Sequence, residues 1–235
     1  MDWSILRYPI RGPHAEGAFI KGLICAFAAV TTIDWFPSPL SILFVPASLL
    51  LLGYLITVQK SGLRNARSVP EFRGYARLLH RGLVGLVVAL SYLALPIVML
   101  VVTVHGASIA TAQPSGIQMN ITVLLGSTLV LIVLLVSAYL LPVGIVRAVE
   151  NQSLLAGLHV DTVRRTAVHS RYLVAWFGGG TAIFTVLVLI SELWGSYRIL
   201  SVFALVVSYY ALVLIAHVLG RSLRQSKPSV EQNLG

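Results

Sequence analysis

The chain has 235 residues, of which 57% are hydrophobic and only 11% charged, with a mean hydropathy of +0.87. A soluble domain carries about 25% charged residues, so this composition excludes a water-covered globule and leaves lipid as the solvent of the apolar surface. The net charge of +9 is spread over several polar stretches, which argues for membrane topology and against a nucleic-acid partner.

Sixteen of the seventeen Lys and Arg residues lie in four stretches, 1–21, 59–81, 147–171 and 221–235, and Arg198 stands alone. The first stretch leads into an apolar run, about 18–36, that closes on Asp34, Trp35 and Pro37. Ala26-Phe27-Ala28 has the small residues of a signal-peptidase site, but the apolar segment after Lys21 is too short for an h-region. A retained first helix is therefore expected. Pro37-Ser38-Pro39 makes a tight turn, and 40–58 is the second span.

Ser68-Val69-Pro70-Glu71 fits a capping box. After it, Phe72, Tyr75 and Leu79 share one helical face, while Arg73, Arg77 and Arg81 recur at i, i+4 and i+8 on another. An amphipathic surface helix feeding a third span, 82–104, is expected. A polar loop at 105–120 separates it from the fourth span, 121–146. Spans five and six, 172–190 and 199–219, flank a short turn at Glu192-Leu193-Trp194-Gly195, and 221–235 reads as a disordered tail.

At roughly 20 residues per span, residues 1–235 form a single polytopic membrane domain. The expected fold is all-α: six transmembrane helices as three hairpins, with short amphipathic basic helices at the cytoplasmic surface before them. Short loops rich in Lys and Arg stay inside, so both termini are expected to be cytoplasmic and the location a cell membrane. Trp35 and Trp194 suit the outer headgroup level. Pro46, Pro96 and Pro142 fall within spans and are expected to kink them. Gly178-Gly179-Gly180 is read as a close helix contact. Lys21, Arg81 and Arg171 each stand where a hairpin begins. Gly53-Tyr54, Ala138-Tyr139 and Tyr209-Tyr210 precede Lys60, Arg147 and Arg221 at the exits. Together they suggest a degenerate threefold repeat.

Ionisable residues inside a membrane usually point to transport or catalysis, and this sequence has few. Asp34 and Glu192 lie at outer helix ends, where an ion pair with Arg198 is expected. His217 is expected to hydrogen-bond a neighbouring helix or to reach the inner headgroups, because no intramembrane acid completes a proton relay. His159, Asp161 and His169 share one loop, but their spacing does not converge as a zinc site requires. Cys25 is the single cysteine, which excludes an intramolecular disulfide. Nucleotide-binding and hydrolase motifs are missing, so no catalytic residue, metal or cofactor is expected. Asn120-Ile121-Thr122 is a formal glycosylation sequon too close to a span for ready modification. The candidate lipid- or partner-facing residues are Lys21, Arg73, Arg77, Arg81, Arg164, Arg165 and Arg171.

Tyr8-Pro9 with Gly12, Gly53-Tyr54, Pro70-Glu71-Phe72, Tyr139-Leu140-Leu141-Pro142 and Arg171-Tyr172-Leu173-Val174-Ala175-Trp176 resemble an archaeal membrane family catalogued as domain of unknown function 4013. The resemblance runs over roughly residues 5–225 and its motifs mark helix boundaries. It implies a six-span, three-hairpin integral membrane protein and carries no catalytic residues. Residues 150–159 depart from the family pattern, with Leu158 where members tend to have Phe.

The combined reading is a non-enzymatic multi-pass membrane protein whose basic cytoplasmic face engages anionic lipid headgroups, a membrane-protein partner or a second copy of itself. The alternative is a transporter or channel for a lipidic or small apolar solute, favoured by repeats and kinks. A second alternative is a lipid-headgroup enzyme using His80, His159, His169 or Asp161.

Overall fold

A computed structural model describes residues 7–33, 42–111, 117–159, 163–164, 167–193 and 198–225. A 3-10 turn at Tyr8–Ile10 is followed by α1 (Ala15–Ile33), α2 (Phe44–Leu63), α3 (Tyr75–Thr111), α4 (Ile117–Glu150), α5 (Leu154–Leu158), α6 (Ser170–Leu193) and α7 (Arg198–Gln225). Among the described residues there is no strand. Among those residues four segments are long and apolar enough to cross a membrane: Phe44–Leu63, Tyr75–Gly106, Leu124–Glu150 and Val202–Arg224. The helices satisfy their own backbone groups, as any segment placed in lipid must.

Helix α2 is the hub. It packs against α1, α3 and α7 and touches α4, while α3 pairs with α4, α6 pairs with α7, and α5 lies on α4 and α3. Close approach is built from glycines. A Cβ on Gly53 of α2 would collide with the Leu78 carbonyl of α3, and one on Gly82 with the Leu49 carbonyl of α2. Gly62 and Gly220 meet in the same way where α2 crosses α7, and Gly144 faces Gly157 between α4 and α5. Lipid tails are as apolar as leucine, so backbone-to-backbone packing of this kind, rather than water exclusion, drives helices together in a bilayer.

These contacts and the buried core cluster toward the end of the bundle that carries the basic residues. Tyr8, Tyr54, Val58, Phe72, Leu78 and Tyr209 form one core, and Leu63, Val143, Val146, Val163, Ala167 and Tyr172 form a second. At the opposite end α3 and α4 offer their side chains outward: Val98, Val101 and Val102 are 59–65% exposed, and Leu124 and Leu125 each 65%. One half of the bundle is packed and the other is spread.

Several expected boundaries move. The capping box at Ser68 and Glu71 does not start a helix; residues 69–74 are irregular and α3 begins only after Gly74, whose φ of +72° ends the irregular segment. Leu78 N–H then bonds the Gly74 carbonyl. Glu71 instead holds Arg73 at 2.6 Å. Thus the separate basic surface helix before the third span is not formed, and Arg77 and Arg81 belong to the first turns of α3 itself. The short α5 carries no Lys or Arg, but between it and α6 residues 163, 164 and 167 are helical, and Arg164 of the expected basic face lies there. Lys21 sits inside α1, which starts at Ala15.

The polar loop expected at 105–120 is mostly helical, because α3 runs to Thr111 and α4 starts at Ile117; Ser108 Oγ donates to the His105 carbonyl within that extension. Residues 221–225, expected in a disordered tail, continue α7. Pro46 is not a mid-helix kink: it lies in the first turn of α2, where a backbone N–H has no intrahelical acceptor to lose. In the glycine run only Gly179 makes a close contact, with Ile215 of α7, while Gly178 and Gly180 face open space.

Candidate functional site at the basic end of the bundle

Three polar layers occupy the packed half. Innermost is the capture of a proline. Pro142 has no N–H, so the Ala138 carbonyl one turn earlier loses its helical donor. Trp176 of α6 supplies a substitute, its indole N–H donating to the Ala138 oxygen at 3.2 Å. The Tyr172 hydroxyl donates to the neighbouring Tyr139 carbonyl at 2.7 Å, and Tyr139 donates its own hydroxyl to the Ala167 carbonyl. From the other side Gln59 Nε2 reaches the Pro142 carbonyl at 3.3 Å. These bonds tie α4 to α6 and α2 at the place where α4 is weakest. On the far flank the Tyr92 hydroxyl donates to the Gly157 carbonyl at 2.8 Å, fastening α5 to α3.

The second layer closes the bundle between its first and last described elements. The Tyr8 ring stacks on His217 of α7 with centroids 3.5 Å apart and planes 18° from parallel. The Tyr8 hydroxyl lies 2.6 Å from Ser61 Oγ, and Ser61 donates onward to the Val58 carbonyl. Burial pushes the Tyr8 phenol above its ordinary pKa, partly offset by the Ser61 bond. Behind this strap, Val69 N–H bonds the Arg11 carbonyl, and Gly12, at φ +123°, lets the chain lie against Ser68. His217 is 6% exposed and its Nδ1 has no hydrogen-bond partner. The expected bond from His217 to a neighbouring helix is replaced by a ring stack. Beside it the hydroxyls of Tyr54 and Tyr209 approach each other, and Tyr209 rests directly on Gly22 of α1.

The third layer is cationic. Thr57 Oγ1 donates to the Gly53 carbonyl at 2.8 Å and accepts from Arg81 Nη1 at 2.9 Å. Lys60 lies within electrostatic reach of Arg64, Arg81 and Glu150, and Arg81 within reach of Arg77 and Arg64. Thus the end of α2, with Arg64 just beyond it, and the first turns of α3 link four cations electrostatically through Lys60 and Arg81, with the Glu150 carboxylate of α4 in reach of Lys60. Lys60 and Arg81 are half-buried, and Arg64 and Arg77 are exposed.

Of the residues singled out from sequence, Lys21, Arg73, Arg77, Arg164 and Arg171 are exposed. Arg77 and Arg81 are brought together. Arg165 and Asp34 lie outside the described residues, as does Asp161. Glu192 falls in the last turn of α6 and Arg198 at the start of α7, but their side chains lie outside the described ones. Trp35 and Trp194 lie outside as well. The sequence reading missed Thr57, Lys60 and Arg64, because the stretch from Gln59 read as a loop. Helical continuation would have shown Thr57, Lys60 and Arg64 at i, i+3 and i+7, on one face. Gln59, Tyr54, Tyr209 and His217 are buried as well.

With these helix boundaries and aromatic anchors in place, residues 38–194 match the family model described as protein of unknown function (DUF4013). The chain belongs to that family. The match covers a narrower stretch than the resemblance over 5–225, leaving the Tyr8 strap and α7 beyond it. Within the DUF4013 segment fall Pro142, Tyr139, Tyr172 and Trp176, and all four cations of the third layer. No curated protein and no solved structure matches the chain.

Proposed function

We propose that this is a non-enzymatic, six-span integral membrane protein with both termini cytoplasmic, whose basic end engages anionic lipid headgroups. The single observation that carries the reading is the distribution of side chains on one bundle. Exposed Lys21, Arg73, Arg77, Arg164 and Arg171 mark one end, and an exposed belt of leucine and valine covers the rest. Short basic segments of this kind stay on the cytoplasmic side, and each basic residue near an anionic surface is worth about 1 kcal/mol. Helices α1 and α6, with 19 and 24 residues, supply the two spans beyond the four that qualify by length and composition. The starts marked by Lys21, Arg81 and Arg171 make a threefold repeat of hairpins the natural description.

The test is purification from native membranes in mild detergent, followed by identification of what is retained. Anionic phospholipid enriched over zwitterionic lipid is expected, released by salt and reduced when Lys21, Arg73, Arg164 and Arg171 are changed to Gln. Protein recovered alone at every salt concentration, with neither lipid nor partner, overturns the reading.

One observation favours a second reading, a carrier of lipidic solutes. Above the Tyr139–Trp176 contact, α4 and α6 present exposed apolar faces, including Leu131, Leu135, Phe177 and Phe184. Reconstituted vesicles with no lipid scrambling and no solute flux would remove that alternative.

A further inference from the structure

The four cations at the crossing of α2 and α3 differ from the rest of the basic end. Lys21, Arg73, Arg164 and Arg171 are scattered over α1, the segment before α3, the segment before α6, and α6. Lys60, Arg64, Arg77 and Arg81 instead converge from two helices that are locked at Gly53 and Gly82. Bringing four like charges together, two of them half-buried, is unfavourable unless an anion joins them. Glu150 contributes one negative charge in reach of Lys60. Among the described residues the cluster therefore keeps an excess of about three positive charges over the one carboxylate in its reach.

The Arg81 guanidinium is also held in place. Thr57 has its own proton committed to the Gly53 carbonyl, so it presents a lone pair to Arg81 at 2.9 Å. One donor of a five-donor fork is used in this bond, leaving the others for a multidentate oxyanion. Arg77 and Arg81 lie in the first two turns of the segment Tyr75–Gly106, which is long and apolar enough to cross a membrane.

We propose that Thr57, Lys60, Arg64, Arg77 and Arg81 form a binding site for the phosphomonoester headgroup of an anionic lipid. A monoester is favoured over a diester because its second ionisation, near pH 6, gives it close to two negative charges at pH 7, which better matches the excess. The inference rests on the headgroup reading above and adds to it one place and one chemical class.

The test uses the full chain in detergent, titrated with dioctanoyl phosphatidic acid and followed by native mass spectrometry. Saturable one-to-one binding is expected, with dioctanoyl phosphatidylglycerol and inorganic phosphate weaker. Arg81→Gln and Lys60→Gln should each weaken binding about tenfold or more, the scale of a lost charge-assisted hydrogen bond. Arg77→Gln alters an exposed side chain, so it tests the site without burdening the fold, and it should weaken binding severalfold. The double variant Arg164→Gln with Arg171→Gln should remain within about twofold of wild type. Equal losses in that double variant and in the site variants would overturn the site while leaving the broader headgroup reading intact. Wild type that binds no anionic lipid at all would overturn both. Inorganic phosphate binding as tightly as phosphatidic acid would overturn the lipid as its source.

Discussion

The two halves of the bundle are made from similar residues and behave differently. Toward the basic end, α2 meets α3 at Gly53 and Gly82 and meets α7 at Gly62 and Gly220, and aromatic hydroxyls and an indole N–H bond exposed carbonyls. Toward the other end, the valines and leucines of α3 and α4 face outward. Leucine and valine cannot tell a neighbouring helix from a lipid tail. Glycine can, because it admits a second backbone, and a freed carbonyl can, because hydrocarbon offers it no donor. Packing follows those two features and not hydropathy.

Substitutions that exchange the properties of the halves test this contrast. The largest effect is expected from Gly53→Ala or Gly220→Ala. The added methyl would meet the Leu78 or Gln59 carbonyl, costing about 3 kcal/mol of stability. The same change at Gly106 or Gly178, which face open space, should be neutral or stabilise by up to about 1 kcal/mol through helix propensity. Unfolding in mixed micelles would report the difference, and equal costs at Gly53 and Gly106 would break the contrast. Next, Leu78→Ala, at a site 2% exposed, should cost about 2 kcal/mol or more. Leu125→Ala, 65% exposed, should cost less than about 0.5 kcal/mol.

Smaller effects probe the proline layer. Trp176→Phe removes the donor to Ala138 and should cost about 1 kcal/mol. Pro142→Ala restores a backbone donor to the same carbonyl. In a double-mutant cycle the Trp176 loss should therefore shrink when Pro142 is already alanine, and additive losses would show that the indole acts by packing alone. Smallest is Tyr8→Phe, which keeps the ring stack on His217 and loses the Ser61 bond. A cost of about 0.5–1 kcal/mol is expected, and a larger loss would place the Tyr8 hydroxyl, not its ring, at the centre of the strap.

How much was legible in the sequence follows from the same physics. Apolar runs of span length are visible without coordinates, and the four qualifying segments lie where hydropathy puts them. The family resemblance was legible too, through Tyr139-Leu140-Leu141-Pro142 and the Arg171–Trp176 run. Helix ends were harder to read. Lys60 and Ser61 looked like loop residues, yet α2 continues through them because Ser61 bonds back to the Val58 carbonyl and Gly62 packs on α7. Ser68 and Glu71 looked like a cap, yet Gly74 takes the left-handed conformation that starts α3. Of the candidate site, Arg77 and Arg81 were readable from their spacing. Thr57, Lys60 and Arg64 were not, because their role depends on a helix crossing set by Gly53 and Gly82, and a contact between two helices leaves no periodicity in either. The Tyr8–His217 stack joins residues from opposite ends of the chain, beyond the reach of any local pattern.

That stack has a consequence for biogenesis. A membrane protein is inserted as it is synthesised, N-terminal segments first. Tyr8 emerges before α1, but its ring partner His217 belongs to α7. Until α7 has inserted, the strap lacks the surface on which it stacks, and the gap between α2 and α7 stays open on the basic side. Docking of Tyr8 then follows the insertion of α7, and a chain cut short before α7 would leave the Tyr8–Ile10 turn undocked for membrane quality control to find.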